Sequence, residues 1–331
     1  MQLVLETHGL KLSVRNRSFL VEGKEGKRLI SPQMIDSIAV HANISLSSAA
    51  VELAIEHRIP ILFFDGIGNP VGRTWSLRFE GHPQLRRNLV LFEQAAERAL
   101  PWALSLYRLK TAGQLANVSA AGNPAHEAME RIPVFMEKLA ALQPRPGEDL
   151  EATIMGLEGA AARAYWAALS GLVPKGFAFE GRSRQPAQDF FNCALNYAYG
   201  MLYNLVEGAI FSAGLDPYLG IVHKDEYNRP ALTFDLIEPF RPWADMLVVA
   251  LCSIDRLEPN HFDPVEAKDG GGWRFNKAGK QVLIPAFEEY MKQLLDWQGK
   301  TLTRRNHVYQ FCGEFAAMLK NYGTPIVNPK S

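Results

Sequence analysis

Hydrophobic and polar positions follow two different periods along this chain, and the change falls near residue 77. Before it, short apolar segments separated by glycine-containing turns are typical of β-strands. The predicted strands are Leu3–Leu5, Lys11–Val14, Phe19–Val21, Ser37–Val40 and Ile59–Phe64. One helix is predicted between the last two strands, from about Leu46 to His57, with Asn43 or Ser45 as its N-cap.

Beyond residue 77 the apolar side chains recur every three or four positions, which is the period of amphipathic helices. Such helices are predicted near 84–100, 101–121, 125–142, 149–171, 189–214, 231–254, 277–297 and 302–321. The length of 331 residues exceeds that of a typical single domain. The predicted fold is therefore α+β, with a small β-rich N-terminal domain at 1–80 and a larger all-helical domain at 81–331.

Composition restricts the possible functions without selecting one. The 35 basic and 35 acidic side chains give a net charge of zero, so any DNA site must be a local patch. The three cysteines form no Cys-x-x-Cys pair, which argues against a zinc ribbon or a disulfide framework. The sequence has neither a signal peptide nor an apolar run of about 18 residues, so we expect a cytoplasmic protein without membrane contact.

Three acidic residues and one histidine occupy positions that require a partner. Glu158 falls on the apolar stripe of the helix predicted at 149–171, where an isolated carboxylate would be costly. His223 lies on an apolar stretch beyond Gly214, a residue suited to ending a helix. Asp235 and Glu238 are three residues apart on one helical face, and they repel each other unless a cation or an arginine lies between them.

A site of two carboxylates and one imidazole suits Mg²⁺ or Mn²⁺ better than structural zinc, and such an ion assists phosphoryl transfer. Spacing alone does not prove that Glu158, His223 and Glu238 meet. On spacing alone a structural salt bridge is the more common role for a carboxylate placed like Glu158, and an isolated histidine is usually structural. From the residues alone, a metal-dependent hydrolase or transferase is one hypothesis among these.

Three sequence blocks occur in order in the helical half: Gly156 to Arg163, Gly214 to His223, and Arg229 to Asp245. Together they resemble the CRISPR-associated integrase and endonuclease family, and the resemblance covers nearly the whole chain. It implies that Glu158, His223 and Glu238 bind Mg²⁺ or Mn²⁺ and that Asp235 is a supporting catalytic residue.

The resemblance also implies function and assembly. The expected activity is metal-dependent cleavage of DNA and insertion of short duplexes into a CRISPR array by transesterification, as part of antiviral defence. The expected partners are double-stranded DNA, a second copy bound through the N-terminal domain, and a dimer of a small ferredoxin-like CRISPR-associated protein.

Four arginines are predicted to contact DNA. Arg163 and Arg241 lie inside the matched blocks, where they could bind phosphate or orient carboxylates, and Arg182 and Arg184 belong to a basic cluster. Two other functions remain open. One is a non-catalytic DNA-binding scaffold in which the acidic residues and His223 form a buried polar network, and the other is a metal hydrolase acting on a small substrate.

Overall fold

The computed structural model describes most of the chain, and the residues it describes are 2–35, 37–57, 59–64, 70–74, 83–119, 126–143, 149–183, 186–223, 227, 229–265 and 271–322. The chain divides into two compact units, Met1–Glu80 and Gly81–Ser331. No helix in the described ranges is long and apolar enough to span a bilayer.

Two four-stranded sheets make up most of the first unit. Its strands are β1 Gln2–Leu5, β2 Lys11–Arg15, β3 Ser18–Gly23, β4 Gly26–Ile30, β5 Ser37–Val40, β6 Ser45–Leu46, β7 Ile61–Phe64 and β8 Pro70–Arg73. One sheet has the order β1-β5-β7-β8 and the other β4-β3-β2-β6. All five predicted strands are present. The prediction missed β4, β6 and β8, which are short or rich in polar residues.

Helix α1 of this unit runs over Ser48–Glu56. Its N-cap is Ser47, whose hydroxyl accepts a hydrogen bond from the Ala50 amide at 3.2 Å. The predicted caps Asn43 and Ser45 are wrong, because Ser45 pairs in β6 instead.

Helices dominate the second unit. They are α2 Pro83–Gln94, α3 Ala96–Ser119, α4 His126–Ala140, α5 Leu150–Ser170, α6 Phe190–Ser212, α7 Ala231–Ile237, α8 Arg241–Ser253, α9 Lys277–Lys292 and α10 Arg304–Asn321. The single helix predicted at 231–254 is broken by a 3₁₀ turn at Glu238–Phe240. Pro239 lies at the start of this turn, and Pro242 lies at the start of α8.

The all-helical description of the second unit is wrong. It contains the hairpins β9 Phe262–Val265 with β10 Gly272–Phe275, and β11 Leu294–Trp297 with β12 Lys300–Thr303. The second hairpin turns through Gln298 and Gly299, whose φ values of 54° and 72° match a tight two-residue turn. Helix α9 therefore ends at Lys292 instead of continuing to 297, although the amphipathic pattern extends into the strand.

Two of the helices, α3 and α8, pack closely against each other. Gly113 lies on α3 where it meets α8, and a Cβ there would come within 2.9 Å of the Pro242 Cβ atom. A larger residue would therefore push the two helices apart.

The cysteines Cys193, Cys252 and Cys312 are buried and free, and burial raises the pKa of each thiol.

Candidate metal centre

The loop that carries His223 begins at a well-defined helix end. Gly214, with φ 77°, donates to the Phe211 carbonyl, and Leu215 donates to the Ile210 carbonyl. This pair of bonds is the Schellman arrangement that closes a helix, so the predicted role of Gly214 is confirmed. The chain then turns at Gly220, where a Cβ would come within 2.2 Å of the His223 carbonyl oxygen.

Asp235 on α7 organises this loop. Its Oδ2 accepts hydrogen bonds from the amides of Ile221 and Val222 at 2.7 and 3.1 Å. Its Oδ1 accepts one from the His223 amide at 3.0 Å and lies 2.6 Å from the imidazole Nδ1. Because a carboxylate accepts, Nδ1 carries the proton when the imidazole is neutral, and Nε2 is then the nitrogen with the lone pair. The fully buried Asp235 thus fixes both the backbone and the tautomer of His223.

Glu158 and Glu238 are joined by one lysine. The Lys110 Nζ atom on α3 lies 2.5 Å from Glu158 Oε1 and 2.7 Å from Glu238 Oε2. The side chains are 11%, 19% and 7% exposed, so the ions are largely removed from water. Glu158 does face a partner in the core, as its position predicted.

Charges around Glu238 keep it ionised. Burial disfavours the carboxylate, but Arg241 and Lys110 outweigh burial and lower its pKa to about 2, with a further contribution from His223. Burial also disfavours the Lys110 ammonium, and here Glu238 and Glu158 prevail and raise the pKa of the lysine. The buried Tyr107 has a raised pKa because of burial and the charges of Glu238, Glu158 and Asp235. These groups therefore share one electrostatic environment.

The four predicted DNA-binding arginines differ in their surroundings. Arg241 donates from Nε to Glu238 Oε1 at 2.7 Å and lies over the Tyr199 ring. Arg182 bonds to Asn192 and Asn196 and lies near the rings of Trp166 and Tyr199. Arg163 is exposed on α5. Arg184 lies outside the described residues.

A second polar layer lies two helical turns from the first. Asn117, Tyr165 and Asp245 follow Lys110, Glu158 and Glu238 by seven residues each. The Tyr165 hydroxyl accepts from the Asn117 amide at 3.0 Å and donates to Asp245 at 2.7 Å, while Tyr199 donates to Asp245 at 2.5 Å. Burial raises the pKa of Asp245 to about 6, although both tyrosine hydroxyls act in the opposite direction. The first layer therefore connects α3, α5 and the 3₁₀ turn before α8, and the second connects α3, α5, α6 and α8.

A divalent cation needs several oxygen or nitrogen donors around one point. Within the described part of the chain, no three His, Cys, Asp or Glu side chains are grouped so as to hold a metal ion. The cation between the two glutamates is the Lys110 ammonium instead. The chemistry still fits Mg²⁺ or Mn²⁺, because two carboxylates already share one cation and the charge of His223 acts on one of them, Glu238. Moreover, Glu238 Oε2 is buried without a hydrogen bond and has only its ion-pair contact.

Sequence reasoning missed Lys110, although a signal for it exists. On α3 the buried side chains of Ala103, Tyr107, Gln114 and Val118 form a stripe, and Lys110 falls on it. A charged residue on an apolar stripe is the same signal that singled out Glu158. Asp245 was also missed as a partner of Tyr165, since no spacing rule connects residues 80 positions apart.

Comparisons with known proteins identify the family of this fold. The family model for CRISPR associated protein Cas1 matches residues 3–289. A Cas1 endonuclease of Saccharolobus solfataricus is 30% identical over 91% of this chain and 89% of its own length. A second Cas1 endonuclease, from Archaeoglobus fulgidus, is 25% identical, and the alignment covers 97% of this chain and 96% of that relative's length.

Solved structures extend the likeness to the fold. A CAS1 protein from Thermotoga maritima has a TM-score of 0.81 at 21% identity and covers 98% of this chain and 99% of its own. A casposase bound to its integration product has a TM-score of 0.80 at 22% identity over 96% and 90%. A chain of a Cas6-RT-Cas1–Cas2 complex has a TM-score of 0.75 at 19% identity. The match covers 97% of this chain and 35% of that chain.

These findings place the chain in a class and then in a family. The fold is that of an α+β protein with a strand-rich N-terminal part, a helical C-terminal part and a carboxylate and histidine centre in the latter. The chain belongs to the CRISPR-associated Cas1 family, whose similar members named above are endonucleases. The resemblance inferred from the three sequence blocks is confirmed.

Proposed function

We propose that this protein is a metal-dependent DNA endonuclease and integrase that inserts short duplexes into a CRISPR array. One observation carries the proposal: Glu158 and Glu238, from separate segments, converge on a single cation position, which the Lys110 ammonium occupies. Family membership supplies the substrate class, because the relatives are named CRISPR-associated endonucleases. The casposase of similar fold, bound to its integration product, supports strand transfer as the reaction type.

Glu158, Glu238 and His223 would hold Mg²⁺ or Mn²⁺, with the imidazole binding through Nε2. When bound, such an ion neutralises charge at a phosphodiester and lowers the pKa of a coordinated water or hydroxyl. Asp235 orients His223 from the opposite ring nitrogen. Arg241 holds Glu238 in its ionised form and in position.

The reaction is a transesterification. The 3′ oxygen of the incoming strand forms a bond to the phosphorus of a target phosphodiester while the phosphorus bond to the target 3′ oxygen breaks. The incoming hydroxyl loses its proton and the target 3′ oxygen gains one, so the number of phosphodiester bonds is unchanged. With water as the nucleophile, the same displacement is endonuclease cleavage.

Partners follow from the same proposal. Double-stranded DNA would contact the exposed Arg163 on α5, and Arg184 would add a phosphate contact. Because the net charge is zero, we expect efficient DNA binding to need a second copy and a dimer of a small ferredoxin-like CRISPR-associated protein. The N-terminal unit would form the homodimer contact, and the complex would act in the cytoplasm.

Nicking of supercoiled plasmid by the purified chain tests the proposal, with Mn²⁺ or with EDTA, in wild type and Glu158→Gln. We expect cleavage by the wild type in Mn²⁺ alone, and DNA affinity that falls steeply as salt is added. Glu97→Gln is the matched control, since it makes the same change at an exposed position on α3.

Two results would favour the competing functions. DNA binding without cleavage or strand transfer in any metal would indicate a non-catalytic scaffold. Absence of any salt-dependent DNA binding would indicate a hydrolase that acts on a small substrate.

A further inference from the structure

Lys110 lies where a metal ion would be expected. Its Nζ contacts one oxygen of Glu158 and one of Glu238, at 2.5 and 2.7 Å, and the lysine side chain is only 11% exposed. No other residue gives both carboxylates a shared ion pair in the described part of the chain. The ammonium is therefore the cation that connects α3, α5 and the 3₁₀ turn after α7.

Two buried glutamates from separate segments would repel each other without such a cation. Arg241 relieves this only in part, since it bonds to Glu238 Oε1 and leaves Oε2 to Lys110. Oε2 is buried and has no hydrogen bond, so its negative charge is balanced by the ion pair with the Lys110 ammonium. A divalent ion bound by both glutamates would need these same oxygens, and it would repel a positive charge held less than 3 Å from each of them.

We propose that Lys110 is a built-in counter-ion of the metal-free site, and that a divalent cation binds by displacing its ammonium from Glu158 and Glu238. This inference rests on the metal dependence proposed above. Lys110 is a positioning residue, because in the metal-free state it keeps the two carboxylates together until the ion replaces it.

The displaced side chain has an alternative contact nearby. Nζ is already 5.4 Å from the centre of the Tyr107 ring, which lies one turn earlier on α3. Withdrawal toward that ring keeps a cation–π interaction while it vacates the carboxylates. Metal binding is then an exchange between two cations and does not require a large movement of α3.

The exchange of the Lys110 ammonium for a divalent cation has a measurable consequence for metal affinity. When the binding-competent state is only a fraction of the population, the apparent dissociation constant is raised by the inverse of that fraction. If Lys110 occupies the glutamates about nine-tenths of the time, its neutralisation should strengthen metal binding about tenfold. A lysine that served only the structure would give the opposite result, since its loss would disorder the site and weaken binding.

The experiment is calorimetric titration of Mn²⁺ into the metal-free full chain, for wild type, Lys110→Met and Lys110→Gln. Glutamine can still donate hydrogen bonds to both glutamates, so it serves if the methionine variant fails to fold. Arg108→Met is the matched control, because it removes a positive charge from an exposed position on the same helix. We expect the dissociation constant to fall about tenfold in both Lys110 variants and less than twofold in the control.

The outcomes separate this inference from the proposed function. Equal or weaker Mn²⁺ binding in the Lys110 variants, with binding in wild type intact, would overturn the exchange and leave the proposed metal site standing. An equally large gain in Arg108→Met would assign the effect to net charge and would also overturn it. Absence of Mn²⁺ binding in every variant would overturn both. A Mn²⁺-bound crystal structure with Nζ still on both glutamates would contradict displacement directly.

Discussion

The imidazole Nδ1 of His223 lies 2.6 Å from Oδ1 of Asp235, twelve residues further along the chain. Asp235 accepts three backbone amides as well, so one buried carboxylate receives four donors. The direction in which Nε2 points is therefore set by Asp235 on α7 and not by the loop that carries His223. The proposed metal ligand is thus oriented before any metal arrives.

Asp235→Asn should therefore weaken metal binding without removing a ligand. An amide carries one oxygen and one donor nitrogen, so it cannot accept four hydrogen bonds. Loss of such a supporting partner typically costs about 10- to 100-fold in metal affinity. Titration of Mn²⁺ into the metal-free variant measures this loss, with Glu97→Gln as the control for altered charge. Unchanged affinity in Asp235→Asn would mean that His223 does not depend on Asp235 or does not bind the ion.

The pKa of Asp245 predicts a pH effect on stability. Burial raises this pKa from the ordinary value of 3.8 to about 6. The folded protein therefore binds more protons than the unfolded chain between about pH 4 and 6, and a rise in pH through this window reduces stability. The full effect amounts to about 3 kcal/mol, reached above pH 6.

Asp245→Asn removes that titration. The stability of the variant relative to wild type should improve by about 2 kcal/mol from pH 4 to pH 7. Urea unfolding at the two pH values, in EDTA and followed by circular dichroism, gives the difference. A constant difference between the two proteins would show that Asp245 is ionised at both pH values and that its tyrosine hydrogen bonds compensate for burial.

Tyr165→Phe should loosen the second polar layer. The substitution keeps the buried ring but removes the hydroxyl shared by Asn117 and Asp245. Each buried group that loses a partner costs about 1–3 kcal/mol, so the free energy of unfolding should fall by about that amount. Tyr227→Phe is the matched control, because its side chain is 96% exposed and its hydroxyl is hydrated. Equal stability of the two variants would contradict the role given to Tyr165.

Arg163 and Arg182 should behave differently when replaced by alanine. Arg163 is exposed, so its loss should weaken DNA binding and reduce the salt slope of log affinity by about 1, with little change in stability. Arg182 is engaged by Asn192, Asn196 and two aromatic rings, so its loss should mainly lower the melting temperature. DNA binding measured over a salt series, together with thermal unfolding, distinguishes the two. Equal loss of DNA affinity at equal stability would place both side chains on the DNA.

Much of the fold follows from local pattern alone. The change from strand to helix period near residue 77 is a local property, and so are the helix end at Gly214 and the irregular helix around Pro239 and Pro242. The hairpin at Leu294–Thr303 was missed because its first strand continues the apolar spacing of α9. Only the backbone at Gln298 and Gly299 reveals the turn.

The candidate site was predictable in part. The position of Glu158 on an apolar stripe required a charged partner, but nothing local identifies a lysine 48 residues earlier as that partner. The Asp235 and His223 pair also depends on how the loop folds back onto α7. Such contacts come from packing between segments, which sequence spacing does not encode.

The central claim is that Glu158, His223 and Glu238 form a metal site for DNA strand transfer. The most direct test is integration of a short duplex with free 3′-hydroxyl ends into a supercoiled repeat-bearing plasmid, with the small partner protein present. Wild type and His223→Ala are compared in Mn²⁺ and in EDTA. We expect strand transfer only by the wild type in Mn²⁺. Strand transfer by His223→Ala at the wild-type rate would contradict the role of His223, and strand transfer by either protein in EDTA would contradict metal dependence.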